Sequence, residues 1–86
     1  MIYGYYKFTN DSEDMEYKKM LQSMGVPEKN IYTDKASEIE GLKNLFENID
    51  ENEILITKKM DDLIENEHLE DIIKLFNSKT LTVFFW

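Results

Sequence analysis

Hydrophobic and polar positions alternate along the chain with two different periods. Ile2 to Phe8 is rich in aromatic and β-branched residues, the composition of a strand. Asn10, Asp11 and Ser12 follow as helix-start residues. From about Glu13 to Met24, the residues Tyr17, Met20, Leu21 and Met24 fall at i, i+3, i+4 and i+7, one apolar helix face. Gly25 stops that helix in the C′ role and Pro27 prevents its resumption. As methionines more often serve the core than an interface, Met15, Met20 and Met24 are expected in the core. Asn30 to Thr33 predicts a short second strand.

Ser37-Glu38-Ile39-Glu40 matches a capping box, with Ser37 on the N3 amide and Glu40 reaching back. The helix it opens puts Ile39, Leu42, Leu45, Phe46 and Ile49 on one side. Asp50 and Glu51 turn the chain into a third strand, Glu53 to Thr57. Its apolar triplet Ile54-Leu55-Ile56 suits a strand covered on both faces. Lys58 to Glu67 reads as loop or partly helical. From about Asn66 a third helix directs Leu69, Ile72, Ile73 and Phe76 to the core, and Thr80 to Trp86 forms a fourth strand. Strands alternating with helices imply right-handed crossovers and a parallel sheet. The expected fold is a three-layer α/β domain, β-α-β-α-β-α-β, with four mostly parallel strands and three helices. In such sheets functional groups gather at the carboxyl ends of the strands, here Phe8 to Asp11, Thr33 to Ser37 and Thr57 to Asp62.

Composition narrows the functional classes. Eighty-six residues hold one core, spanning residues 1–86 as a single domain. The chain has no cysteine and one histidine, His68, which excludes disulfides, thiolate nucleophiles and multi-histidine metal sites. No cofactor and no metal is implied. The longest apolar stretch, at Leu81 to Trp86, is too short to span a bilayer, and the N-terminus has no signal-peptide pattern. A cytoplasmic protein without a membrane is expected. Eighteen acids oppose ten bases, a net charge of −8, and every base is lysine. DNA-binding proteins neutralise phosphates with Lys and Arg, and no lysine run here exceeds two residues. Autonomous DNA binding is therefore not expected.

The three strand ends carry a family likeness. Gly4-Tyr5-Tyr6-Lys7-Phe8-Thr9-Asn10 resembles the Gly-Tyr-x-Arg-Val-Ser-Thr opening of serine recombinases of the resolvase/invertase family. Ile31-Tyr32-Thr33-Asp34-Lys35-Ala36-Ser37 is similar to that family's Ile-Phe-x-Asp-Lys-Ala-Ser segment. Glu53 to Leu63 is similar to the strand that runs into Lys-Leu-Asp-Arg-Leu-Gly-Arg. Three matches in order, at nearly the right spacing, are more specific than any one of them.

The resemblance implies a fold and a chemistry. A serine attacks a DNA phosphodiester while several arginines stabilise the phosphoryl transition state. At the matching positions this chain departs. Thr9 stands for the serine, and its methyl crowds an in-line attack. Lys7 stands for an arginine and lacks the bidentate fork. Ile39 aligns where another arginine belongs. Lys59 and Asp61 are kept, but the two following arginines are Asp62 and Glu65, both reversed in sign. One lost phosphoryl-clamping arginine can cost about a thousandfold in rate, so no recombinase activity is expected. The family's long dimerising helix and helix-turn-helix domain are also expected to be absent, because the chain ends after its fourth strand.

Each candidate has a plainer reading beside it. Thr9 is a surviving nucleophile or a helix-start residue. Ser37 is accounted for by the capping box. Asp61, Asp62, Glu65 and Glu67 could hold a hard cation, or Asp61 with Lys59 a phosphoryl group, but a charge run is usually a solvated face. Lys18-Lys19 and Lys58-Lys59 are phosphate-binding remnants or solubilising surface, and His68 is a surface residue. Phe84, Phe85 and Trp86 form an interface if their strand is an uncovered sheet edge; otherwise local helices cover them. The expected function is a pseudoenzyme acting as a protein-interaction or regulatory module linked to DNA recombination or a mobile element. Its partner is a protein, such as an active recombinase, or a second copy. The alternatives are a weak DNA-nicking or strand-transfer enzyme using Thr9, an acidic DNA mimic, and a folded relic without a role.

Overall fold

Each strand of the sheet is held by a neighbour running in the same direction. The computed structural model describes residues 1–59 and 66–86, with the side chains of residues 66 and 67 excepted. Strand β1 (Ile2–Phe8) lies between β2 (Ile31–Lys35) and β3 (Ile54–Thr57), and β4 (Thr82–Phe85) flanks β3, giving the parallel order β2-β1-β3-β4. The register pairs Lys7 with Asp34, Tyr5 with Thr57, and Ile56 with Phe84. The helices are α1 (Asp11–Ser23), α2 (Glu40–Asn48) and α3 (Asn66–Asn77). The expected β-α-β-α-β-α-β arrangement with four parallel strands and three helices is what forms.

The strand order fixes the layers. The chain steps from β1 outward to β2, then back across β1 to β3 and on to β4. Right-handed crossovers then put α1 on one face and α2 with α3 on the other. The larger core fills the second face. Tyr3, Tyr5 and Leu55 of the sheet meet Ile39, Leu42, Leu45, Phe46 and Ile49 around α2 and Ile72 of α3. The apolar stripe read for α2 is therefore its buried face. On the α1 face only Tyr6, Leu21 and Val26 are fully enclosed, with Ile2, Phe8, Tyr17, Ile31, Ile56 and Trp86 packed around them.

Burial on the two faces corrects two expectations. Met15, Met20 and Met24 are exposed, because α1 turns Leu21, Tyr17 and its acidic first turn toward the sheet. In α3, Leu69 and Ile73 are also exposed, while Ile72 is buried. The end of α1 behaves as its glycine predicts. Gly25 takes φ 94°, the Val26 amide donates to the Leu21 carbonyl, and the Gly25 amide donates to Gln22. This is a Schellman motif with its apolar contact between Val26 and Leu21. A short 3-10 turn, Glu28–Asn30, then leads into β2, so that strand starts one residue later than expected. The Asn30 side-chain amide donates to the Ile2 carbonyl at 3.1 Å.

Among the described residues no helix is long and apolar enough to cross a membrane.

Candidate functional site

The sheet reverses direction of travel at β1, so the carboxyl ends of β1, β2 and β3 form the crevice where parallel sheets place their ligands. Just past β1, Asn10 caps α1: its Oδ1 accepts from the Glu13 amide at 2.9 Å. The Glu13 carboxylate reaches back past Asn10 to Thr9. Its Oε1 accepts from the Thr9 amide at 2.8 Å and from the Thr9 hydroxyl at 2.6 Å. This is a capping box displaced by one residue. The hydrogen bonds from Thr9 hold the Glu13 carboxyl below its usual range, with Tyr17 and the Lys58 charge acting in the same direction. Tyr17 donates weakly to Glu13 Oε2 at 3.4 Å. Lys58, at the end of β3, sits 5.1 Å from the Tyr17 ring centre and 5.7 Å from that of Trp86.

Beside Thr9 a cleft of about 460 Å³ opens between the ends of β1 and β2, lined by Phe8, Thr9, Asn10, Asp11, Lys35, Ala36 and Ser37. Thr9 and Ser37 therefore border one space, with Lys35 as its cation. Lys7 is buried at 1% exposure. Its ammonium donates to the Ala36 carbonyl at 3.3 Å and to the Glu38 carbonyl, tying β1 to the loop before α2.

That loop overturns the capping box read at Ser37. Helix α2 begins at Glu40, with Ile39 at the N-cap and no side-chain hydrogen bond from it. The cap comes instead from β2. Asp34 Oδ1 accepts from the Gly41 amide at 2.7 Å, and Oδ2 accepts from the Leu42 amide at 2.9 Å and the Tyr5 hydroxyl at 2.6 Å. A buried carboxylate so placed satisfies two orphan amides and one buried hydroxyl at once. Ile39 is 3% exposed and belongs to the larger core.

The remaining sequence candidates separate. Lys59 is exposed, and its amide donates to the Trp86 carbonyl at 2.9 Å. Asp61, Asp62 and Glu65 lie outside the described residues, as does most of the Lys58 to Glu67 stretch. Phe84 and Phe85 are each 55% exposed, on opposite faces of β4, whereas Trp86 is half-buried against Tyr17. No protein-family model and no curated protein matches this chain.

Sequence reading passed over Asp34, Glu13 and Tyr17 as site residues, and weighed Lys58 only within the Lys58-Lys59 pair. Two signals existed. Glu13 stands at the N3 position from Asn10, where a back-reaching acid belongs. Asp34 is an acid inside a strand, which needs a nearby donor set to be buried.

Proposed function

We propose that this domain is a non-catalytic relative of the serine recombinase catalytic domain, acting as a protein-interaction or regulatory module linked to DNA recombination or a mobile element. The sequence likeness at the three strand ends supports the kinship. The Thr9–Glu13 pair carries the loss of catalysis. A hydroxyl that attacks a phosphodiester needs cations to receive the developing charge. Here the hydroxyl donates to a carboxylate at 2.6 Å. Asp11 lines the same cleft, and the Lys7 ammonium is engaged with carbonyls. An approaching phosphate meets Asp11 and the Thr9-bound Glu13, with Lys35 as the one cation among the described residues lining the cleft.

The partner is an active serine recombinase from the same cell, whose assembly the domain joins without contributing chemistry. In a plasmid recombination assay, excess domain is expected to lower the product yield of that enzyme several-fold. An unchanged yield, with no co-sedimentation of the two proteins, removes the reading.

The same pair favours one other reading, a weak strand-nicking enzyme, because a hydroxyl with a carboxylate base in reach is a nucleophile arrangement. Thr9→Ala separates the two. A nickase loses its conversion of supercoiled plasmid to open circles, and the interaction module inhibits recombination as before.

A further inference from the structure

Three side chains from separate elements meet at the carboxyl end of β3. The Lys58 ammonium stands 5.1 Å from the ring centre of Tyr17 in α1 and 5.7 Å from that of Trp86 after β4. The two rings meet at 84° with their centres 6.4 Å apart, so they form two walls of a corner that holds the cation. Both walls are fixed by their neighbours. Tyr17 packs on Tyr6 at 5.7 Å, edge to face. The Trp86 amide donates to the Thr57 carbonyl, and the Trp86 carbonyl accepts from the Lys59 amide. Glu13 adds a carboxylate beside the rings. Its Oε1 is taken by Thr9, while Oε2 accepts only the weak 3.4 Å bond from Tyr17 among the described residues.

Lys58 is a poorly matched occupant of this corner. An ammonium carries three N–H donors, and ring faces attract its charge but accept those hydrogens only weakly. Among the described residues the ion pairs are Met1 with Glu53, Lys43 with Glu40 and Lys74 with Glu70. The Lys58 ammonium is thus met by rings and not by a paired carboxylate. Strand order makes this a place where parallel sheets bind ligands. The chain leaves β1 toward β2 and leaves β3 toward β4, so the carboxyl ends of β1 and β3 flank the switch point. Thr9, which holds Glu13, follows β1, and Lys58 follows β3. The net charge of −8 draws cations of every kind to the molecule, and the rings select among them.

We infer that Glu13, Tyr17 and Trp86 form a binding site for an alkylated ammonium ion, and that Lys58 is a built-in occupant which the ligand displaces. A quaternary ammonium has no N–H to leave unpaired, and its charge is spread over methyl groups that pack against ring faces. Two walls at 84° contact such a head on two sides. The Glu13 carboxylate supplies the counter-charge without needing a hydrogen bond. A guanidinium is planar and stacks on one ring at a time, so it uses half of the corner. Displaced Lys58 regains water for its three donors, which offsets part of what its contact with the rings contributed. The inference goes beyond the interaction-module reading and stands or falls without it.

Trp86 is the only tryptophan of the chain, so its emission reports the corner directly. The probe is tetramethylammonium chloride, titrated into the full chain against sodium chloride of equal ionic strength. Lys58→Ala should show a saturable change in emission with a midpoint of about 1–20 mM, and the native chain should need at least about fivefold more. Adding Tyr17→Leu to Lys58→Ala should raise the midpoint at least about fivefold. Adding Glu13→Gln, which keeps an acceptor for Thr9, should do the same through lost charge. Met15→Leu, at an exposed position of the same helix, should leave it unchanged, with circular dichroism checking the fold of every variant. Choline and a trimethyllysine peptide share the head group, and the lower midpoint of the two assigns its source to a free molecule or to a modified protein. Equal responses of Lys58→Ala to tetramethylammonium and to sodium overturn the proposal. So does a midpoint that neither Tyr17→Leu nor Glu13→Gln moves, or a native chain that binds as tightly as Lys58→Ala.

Discussion

Tyr5 and Tyr6 are adjacent, fully buried, and directed to opposite faces of the sheet. Tyr5 donates to Asp34 in the larger core, and Tyr6 donates to the Asp14 carboxylate and carbonyl of α1. Burial raises both phenol pKa values far above the usual range, and the neighbouring carboxylates add to the rise. The folded chain therefore keeps both protons where the unfolded chain gives them up. For an acid with a raised folded pKa, this stability is fully present below the unfolded value near 10. It is lost as pH rises above that value, by up to ~1.4 kcal/mol per pH unit for each tyrosine. Urea midpoints should fall steeply between about pH 10 and 11.5. Tyr5→Phe should be less stable at pH 8, because Asp34 loses a donor, yet show roughly half the alkaline slope. An identical slope in the variant would mean that Tyr5 ionises without unfolding. None of this pairing was legible in the sequence. An aromatic in a strand reads as core, and only the fold brings Asp34, 29 residues away, to its hydroxyl.

At the scale of elements, α1 is the weakly docked layer. Of its residues only Leu21 is fully buried. That side chain lies where a Cβ on Gly4 would stand, 2.8 Å from Leu21 Cδ1. Gly4 is thus needed for the approach of α1 to β1, and its φ is not in the glycine-favouring left-handed region. Gly4→Ala should cost about 1–3 kcal/mol by overpacking, and Leu21→Ala about 2–5 kcal/mol by leaving a cavity. The double variant should cost clearly less than the sum, because the new methyl occupies part of that cavity. Additive denaturation energies would mean that α1 shifts freely on the sheet. Helix α2 contrasts with this. Asp34 caps its start, and the Lys79 ammonium donates to the Phe46 carbonyl at 2.8 Å and to the Ile49 carbonyl at its end. The apolar period of α2 marked its buried face correctly because both ends are fixed by neighbours. In α1 and α3 the same period overestimated burial. A periodic stripe says which face is apolar, but whether sheet lies under it depends on strand order. Met20, Met24, Leu69 and Ile73 continue the apolar stripes of their helices and are exposed all the same. The start of α2 was misread for a related reason. Ser37 and Glu40 have capping-box spacing, but Asp34 is held against the Gly41 and Leu42 amides by the sheet.

For the whole molecule, charge decides the sign of the response to salt. The chain carries −8 within a body of 30 × 29 × 19 Å. At ~20 mM salt the Debye length is roughly 20 Å, so most of these charges act on one another; at ~300 mM it is about 6 Å. Two contributions oppose each other. Screening removes net repulsion, which is greater in the folded state because its charges are closer. It also weakens favourable pairs: Met1 amine with Glu53 at 3.5 Å, Lys43 with Glu40 at 3.9 Å, and Lys74 with Glu70 at 3.5 Å. These pairs are mostly exposed, and such pairs contribute only about 0.2–0.5 kcal/mol each. Repulsion should therefore dominate, and salt should stabilise the fold. Calorimetry at low and at high salt should give a Tm higher in salt by about 4–8 °C for each 1 kcal/mol of repulsion relieved. A Tm that falls with added salt would mean that attractive pairs outweigh the net charge. Its acids would then be arranged as a local network and not as a uniformly repelling surface.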